Sequence, residues 1–420
     1  AAEAIAHATD AAIWPQVQIE ASVARQRQNL FLGQAVSFHV TSFPLTVSAS
    51  YEVDLWGRVA AARAAAELDV RASREDLEAA AISISGAVAD AWYALVAERA
   101  TMRLIDAQQA LGQKLLDLVE FRFGRGIVGA VDVMQQKSQV EAVRAQRPAI
   151  AMRMRLAEQR LAVLLGKSPG FRLALAETSE LPALAATPTA GVPAAVLAAR
   201  PDIRAAQQRM LAVDHRLGAA KADLLPAIRL SASSGFQGRA GATGGAVFFD
   251  NWVWNLVANL TAPLWDGGRR RAEIERVRAG LVDAVGAYTI VVQRAFSEVE
   301  EALVREAGAR ASLAAVDVRI DLAGHILDEV RFRYTRGSTD YLPVLSTLSS
   351  LQALEQERLV HQRAVLTARL GLLRALGGAP LASAAASAGR NDVVHDSVDG
   401  AANAAANNGA PTATPSPEGP

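Results

Sequence analysis

Leu45-Thr-Val-Ser-Ala-Ser-Tyr-Glu-Val-Asp-Leu-Trp-Gly-Arg58 contains the change of period that decides the fold. Leu45, Val47, Ala49, Tyr51 and Val53 alternate with Thr46, Ser48, Ser50, Glu52 and Asp54, the pattern of a strand wet on one side. Past Gly57 the period becomes helical. Leu77, Ala81, Ile84, Val88, Ala91 and Leu95 step by four and three, a heptad-like register that predicts a coiled-coil seam. A helix from about Arg58 to Phe123 is on the order of 100 Å long at 1.5 Å per residue. No compact domain needs such a helix.

Working outward, Val17, Ile19, Ala21 and Val23 form a second alternating segment, against Gln18, Glu20 and Ser22. The same plan then recurs. Val119-Glu-Phe-Arg-Phe-Gly-Arg-Gly126 lies over Val330-Arg-Phe-Arg-Tyr-Thr-Arg-Gly337, and 330 − 119 = 211. That shift also carries Pro15 onto Pro226, Arg58 onto Arg269, Leu165-Gly166 onto Leu376-Gly377 and Pro169 onto Pro380. The chain is read as two copies of one unit. In the second copy Ile228, Leu230 and Ala232 alternate, then Trp252, Trp254, Leu256, Ala258 and Leu260. Tyr288, Val292, Ala295, Val299 and Ala302 keep the helical register until Glu306 falls opposite Leu95.

These signals set the boundaries. The first repeat covers 1–169, with strands at about 16–54 and a helical hairpin at about 57–166. Proline-rich residues 170–198 read as an irregular crossing. The second repeat covers 199–380, with a helix at about 200–223, strands at about 227–264 and a hairpin at about 269–376. Residues 381–420, poor in large apolar side chains, read as a disordered tail. Ala1–Trp14 aligns with Ala212–Leu225, so the first copy lacks the counterpart of Arg200–Leu211.

Composition narrows the function. The chain has 43 basic and 43 acidic residues, against nucleic-acid binding. Hydrophobic residues are 51% but aromatics only 5%, so alanine dominates, as in long helices packed closely. There are no cysteines, hence no disulfide, thiolate metal site or cysteine nucleophile. The six histidines lack metal-ligand spacing, and no cofactor motif or catalytic constellation is present. No run of 18 uncharged apolar residues exists, so no transmembrane helix is expected. A β-barrel leaves only a weak hydropathy signal. Four strands cannot close a barrel, and an open edge in lipid leaves backbone groups unpaired. Either the sheet is a soluble one, or several chains share one barrel.

Tyr51-Glu-Val-Asp-Leu-Trp-Gly-Arg58 resembles the strand-to-helix signature of TolC-like outer-membrane efflux proteins, in the lipoprotein branch serving resistance-nodulation-division pumps. Arg200-Pro-Asp-Ile-Arg204, Leu264-Trp-Asp-Gly-Gly-Arg269 and Phe332-Arg-Tyr-Thr-Arg-Gly337 are similar to that branch's second-repeat motifs. The resemblance covers roughly Ala1 to Pro380. It implies a mixed α and β membrane protein: a homotrimer, each chain giving four strands to a shared 12-stranded outer-membrane barrel and its long coiled-coil helices to a periplasmic α-barrel. It implies a passive conduit for small molecules (drugs, toxic compounds or metal ions), with outer-membrane lipid, a periplasmic adaptor and an inner-membrane efflux pump as partners. A lipidated cysteine, usual at the start of mature chains in this branch, is not among these residues. A same-fold channel for protein secretion and a soluble coiled-coil scaffold are the alternatives.

The resemblance also places sites. Arg125, Gly126, Ile127 and Val128, with Arg336, Gly337, Ser338 and Thr339, would form two adaptor-docking hairpin tips, at the far end of the helices from the strands. Asp132, Leu342 and Ser346 would face the lumen at a gate. Pro343 and Ser346 stand where relatives often carry acids. Asp132 equally reads as a helix N-terminal carboxylate, and Gly126 and Gly337 as turn glycines. Arg269-Arg-Arg271 reads as a solvated face with i,i+4 pairs. Trp252 and Trp254 read as an aromatic girdle; Trp56 and Trp265 fit that role or packing at the helix junction equally.

Overall fold

A computed structural model describes residues 1–31, 35–168, 170–171, 180–182, 200–240, 246–247 and 251–378. The expected tail and nearly all of the expected crossing lie outside the described residues. The chain divides into two compact units, Ala1–Glu78 with Pro201–Gln293 and Ala79–Arg200 with Arg294–Pro420.

The first unit holds the sheet. Helix α1 (Ala2–Asp10) precedes β1 (Gln16–Ala21), β2 (Ala24–Phe31) and β3 (Ala35–Val53); later come β4 (Ala227–Ala240), β5 (Ala246–Val247) and β6 (Trp252–Thr261). All pairings are antiparallel. Among the described residues the sheet has six strands where four were expected, yet only four hydrogen-bonded columns, because β1 and β2 both pair with β3, and β5 and β6 both pair with β4. The interruption between β1 and β2 lies opposite Pro44, which has no N–H to give the ladder; Ser22 N–H still donates to its carbonyl at 3.1 Å. The register is unbroken across it, Ala21 facing Leu45 and Ala24 facing Ser42.

Alternation sorts the sheet into two faces. Val17–Ala49–Ala232–Leu256 and Ile19–Val47–Ser234–Trp254 are rows of one face. Gln16–Ser50–Ser231–Val257 and Gln18–Ser48–Ser233–Asn255 are rows of the other and line a shallow polar groove. The apolar face is bare: Ile19, Leu256 and Leu260 are about 70% exposed.

Two long helices leave this sheet. Helix α2 (Arg58–Gly124) and, after helix α5 (Pro201–Ala222), helix α6 (Arg269–Thr335) are each 67 residues long. They start 269 − 58 = 211 residues apart, the offset seen in the sequence. The Asp54 carboxylate caps α2, accepting from the N–H groups of Val59 (3.1 Å) and Ala60 (2.8 Å). Asp266 does the same for α6, accepting from Gly268 (3.1 Å) and Arg270 (3.2 Å). Trp56 Nε1 donates to the Pro226 carbonyl at 2.7 Å, which ties it to the helix junction. The expected i,i+4 pairing of Arg269–Arg271 is limited to Arg270, which reaches back to Asp266; the next pairs, Glu273–Arg276 and Glu275–Arg278, are i,i+3.

In the same unit α5 runs antiparallel along α2. Arg204 meets Glu75 and Glu78, Arg209 meets Asp76, and Arg216 meets Asp69. Leu217, Ile274 and Val277 add an apolar contact between α5 and α6.

The second unit holds the reversals. The first returns as two helices, α3 (Ala130–Arg144) and α4 (Arg147–Leu164), where a single one was expected. Pro148 lies at the start of α4; within a continuous helix its ring would clash with the Arg144 carbonyl. The second returns as one helix, α7 (Tyr341–Ala375), in which Pro343 sits in the first turn where no intrahelical donor is lost.

The expected seam is only partly covered. Ala91, Leu95, Ala295, Val299 and Ala302 are buried, whereas Leu77, Ala81 and Ile84 are exposed. Without an uncharged run of 18, α2 still contains an 18-residue window whose mean hydropathy is that of a bilayer span by length and composition; 22% of it is buried within the chain. Alanine is the commonest residue of that stretch and, with Ile82, Ile84 and Val88, raises its hydropathy.

The register failure at Glu306 has a partner. Glu306 is 1% exposed and takes two hydrogen bonds from Arg369, at 2.9 and 2.6 Å, and one from Arg310 at 3.1 Å.

Candidate functional site

Each reversal is built from the same backbone device. At the end of α2, Gly126 N–H donates to Phe123 O (2.8 Å) and Ile127 N–H to Arg122 O (3.0 Å). At the end of α6, Gly337 N–H donates to Tyr334 O (3.0 Å) and Ser338 N–H to Arg333 O (3.0 Å). These are Schellman motifs, which close the orphan carbonyls of a helix end through a residue at positive φ. Gly126 has φ 69° and Gly337 φ 74°, a conformation that costs only glycine little. Arg125 stacks over Phe121 at 4.6 Å and Arg336 over Phe332 at 4.0 Å, the same i,i+4 cation–π pair at each tip. Arg125, Gly126, Ile127, Arg336, Gly337 and Ser338 are exposed; Val128 and Thr339 are half-buried. Both tips therefore present arginine and apolar surface.

Behind the tips lies a small core that the sequence reading did not single out. Val119, Leu327, Tyr334, Tyr341, Val344 and Leu348 are buried together, with Val128 and Val133 against them. Gln136 is fully buried; its amide donates to Gly112 O at 2.8 Å and accepts from the Tyr341 hydroxyl at 2.6 Å. Tyr334 and Tyr341 pack at 5.3 Å between centroids, and the Arg122 guanidinium lies 4.5 Å above Tyr334. Burial, with Tyr334 and Asp132 nearby, pushes the Tyr341 phenol up to about 12, against the opposing pull of Arg331. The sequence does carry a signal for Gln136: it falls on the stripe of Val133, Val140 and Val143, a polar residue at a core position.

The gate candidates differ in exposure and in hydrogen-bond partners. Asp132 is half-buried, and its carboxylate accepts from Gly129 N–H at 3.4 Å, the helix-start role. Leu342 is 57% exposed. Ser346 is exposed, and its hydroxyl donates to the Pro343 carbonyl at 3.1 Å.

Comparison with known proteins accounts for this architecture. The model of the family described as outer membrane efflux protein matches residues 1–167 and 192–378. The pyoverdine export outer membrane protein OpmQ of Pseudomonas putida is 32% identical over 387 residues, covering 90% of this chain and 80% of the relative. The same-named protein of Pseudomonas aeruginosa is 34% identical over 340 residues, with 81% and 70% covered. The toluene efflux pump outer membrane protein TtgF of Pseudomonas putida is 28% identical over 377 residues, with 87% and 76% covered. Among solved structures, the outer-membrane channel OprN superposes with a TM-score of 0.80 at 23% identity, over 90% of this chain and 84% of that one. A membrane protein from Pseudomonas aeruginosa superposes at 0.78 with 27% identity, over 90% and 87%. A family match across both halves, with relatives above 30% identity over most of the chain, places this chain in the outer membrane efflux protein family, as a TolC-like efflux channel protein of the Gram-negative outer membrane.

Proposed function

We propose that three copies of this chain share one 12-stranded barrel and one helical tunnel, and that this trimer is the passive outer conduit of a pump that exports small organic molecules. The observation that carries the reading is the sheet. It has four columns, one bare apolar face, and outer columns that pair on one side only among the described strands. Exposed apolar strands with open edges are unstable in water and in lipid alike. Closure with two further copies satisfies both the edges and the face. A soluble scaffold has no use for such a face.

Within that reading the wall facing the lumen is the groove of Gln16, Gln18, Ser48, Ser50, Ser231, Ser233 and Asn255, neutral and rich in hydroxyls and amides. Neighbouring rows of the same face carry Glu20, Arg239 and the Glu52–Arg229 pair, so the wall combines a neutral groove with a few charges. The helices extend into the periplasm, and the uncovered Leu77, Ala81 and Ile84 meet neighbouring subunits. The two tips dock a periplasmic adaptor through the stacked Arg125 and Arg336, and the adaptor links the channel to an inner-membrane pump. Leu342 and Ser346 face the lumen near the closing point. Relatives named for pyoverdine export and toluene efflux support a small-molecule cargo.

The test is mass and partner capture. Light scattering of the detergent-solubilised protein is expected to give a trimer, and crosslinking from residue 125 or 336 in cells to capture a periplasmic adaptor. A stable folded monomer removes the shared barrel.

A further inference from the structure

We propose that Arg25 and Arg27 hold the phosphate of an anionic lipid in the outer leaflet, just beyond the apolar band of the sheet. The inference rests on the shared-barrel reading, which turns this face toward lipid. The band is measurable on β3. From Val53 to Phe43, every second residue is apolar, and its register neighbours across the sheet are apolar or small. Ten steps at about 3.4 Å span about 34 Å, and a tilt of about 40° leaves about 26 Å along the normal, one hydrocarbon band of an outer-membrane barrel. Its upper rows carry Phe43, Phe236, Trp252 and Trp254, side chains that belong at a membrane interface.

The next row on the same face is Arg25 opposite Thr41, and the row after it Arg27 opposite His39. Arg25, Arg27 and His39 are exposed. No Asp or Glu occupies this face of the sheet among the described strand residues; the two arginines are its only permanent charges. Their Cα atoms are about 7 Å apart along one strand; Arg27 already holds a contact within the chain, and the five N–H donors of a guanidinium leave others for a phosphate that Arg25 also reaches. The Thr41 hydroxyl and the His39 ring stand beside them. The aromatic rows beneath distinguish a lipid headgroup from free phosphate, since only a lipid places acyl chains against Trp252 and Trp254 while its phosphate meets Arg25.

Native mass spectrometry of the detergent-solubilised protein, titrated with diphosphoryl lipid A, phosphatidylcholine or inorganic phosphate, tests this. Lipid A is expected to stay bound, phosphatidylcholine to be lost, and millimolar phosphate to displace nothing. Near a charged surface each arginine contributes about five-fold in affinity, so the Arg25→Gln/Arg27→Gln double variant is expected to bind lipid A about 25-fold more weakly. Arg25→Lys/Arg27→Lys is expected to keep most of it. Equal lipid A affinity in wild type and the Gln variant overturns the proposal, and displacement by inorganic phosphate overturns the lipid. If the Gln variant does not assemble, the wild-type preference for lipid A over phosphatidylcholine decides. The same spectra report the oligomer. A trimer without that preference sinks this site alone, whereas a folded monomer sinks the barrel and the site together.

Discussion

Tyr341 shows how much one buried hydroxyl carries at the tips. Its bond to Gln136 satisfies a fully buried amide. Tyr341→Phe leaves that amide oxygen without a donor, and thermal unfolding is expected to show a loss of about 1–3 kcal/mol at neutral pH. The deficit has a defined pH window. The folded phenol is raised to about 12 from an ordinary value near 10, so its stabilisation is complete below about pH 10 and is lost as pH rises through about 12. The gap between wild type and Tyr341→Phe should therefore narrow over that interval; a constant gap refutes the assignment. Gly337 is a case of pure backbone. A Cβ there meets nothing within 4 Å, so Gly337→Val strains φ 74° rather than clashing, by about 1–3 kcal/mol. Gly337→Asn should cost less, because Asn tolerates this conformation. Adaptor crosslinking is expected to fall with Val while outer-membrane insertion persists, since the strands belong to the other compact unit.

At the scale of elements, the long helices depend on their ends and on one buried ion pair. Asp54→Ala removes the acceptor for two N–H groups of α2 and is expected to cost about 0.5–2 kcal/mol. Hydrogen exchange should speed up at residues 59–61 and not at the far end of the helix. Glu306→Ala leaves Arg369 buried without its bidentate partner, a loss of about 3–5 kcal/mol. Leu95, 211 residues earlier and at the matching step of α2, is buried at 0% exposure. Replacing both residues together, Glu306→Leu with Arg369→Met, is expected to restore most of that stability in chemical denaturation. If the double variant is as unstable as the single one, the pair does more than fill the position.

At the scale of the molecule, the tunnel reading makes Ser346 a neutral ring. Ser346→Asp in the trimer would bring three carboxylates within about one Debye length, roughly 8–10 Å. Planar-bilayer recordings are expected to show greater cation selectivity, fading as salt rises. Unchanged selectivity in a correctly assembled trimer moves the gate away from Ser346.

The sequence alone determined the two long helices and the reversals that end them. The change of period at Gly57 and the 211-residue offset give both long helices and both reversals, because local steric preference and side-chain periodicity are properties of neighbouring residues. Gly126 and Gly337 were legible for the same reason. Only the tertiary structure decided what those residues meet. That Pro44 interrupts a neighbouring strand depends on register, and that Glu306 is tolerable depends on Arg369, 63 residues away. Tyr341 and Gln136 are separated by 205 residues, and nothing local to either announces the bond. The alignment of Arg25 and Arg27 above the aromatic rows follows from hydrogen-bond register between distant strands, a long-range pairing that chain periodicity does not encode.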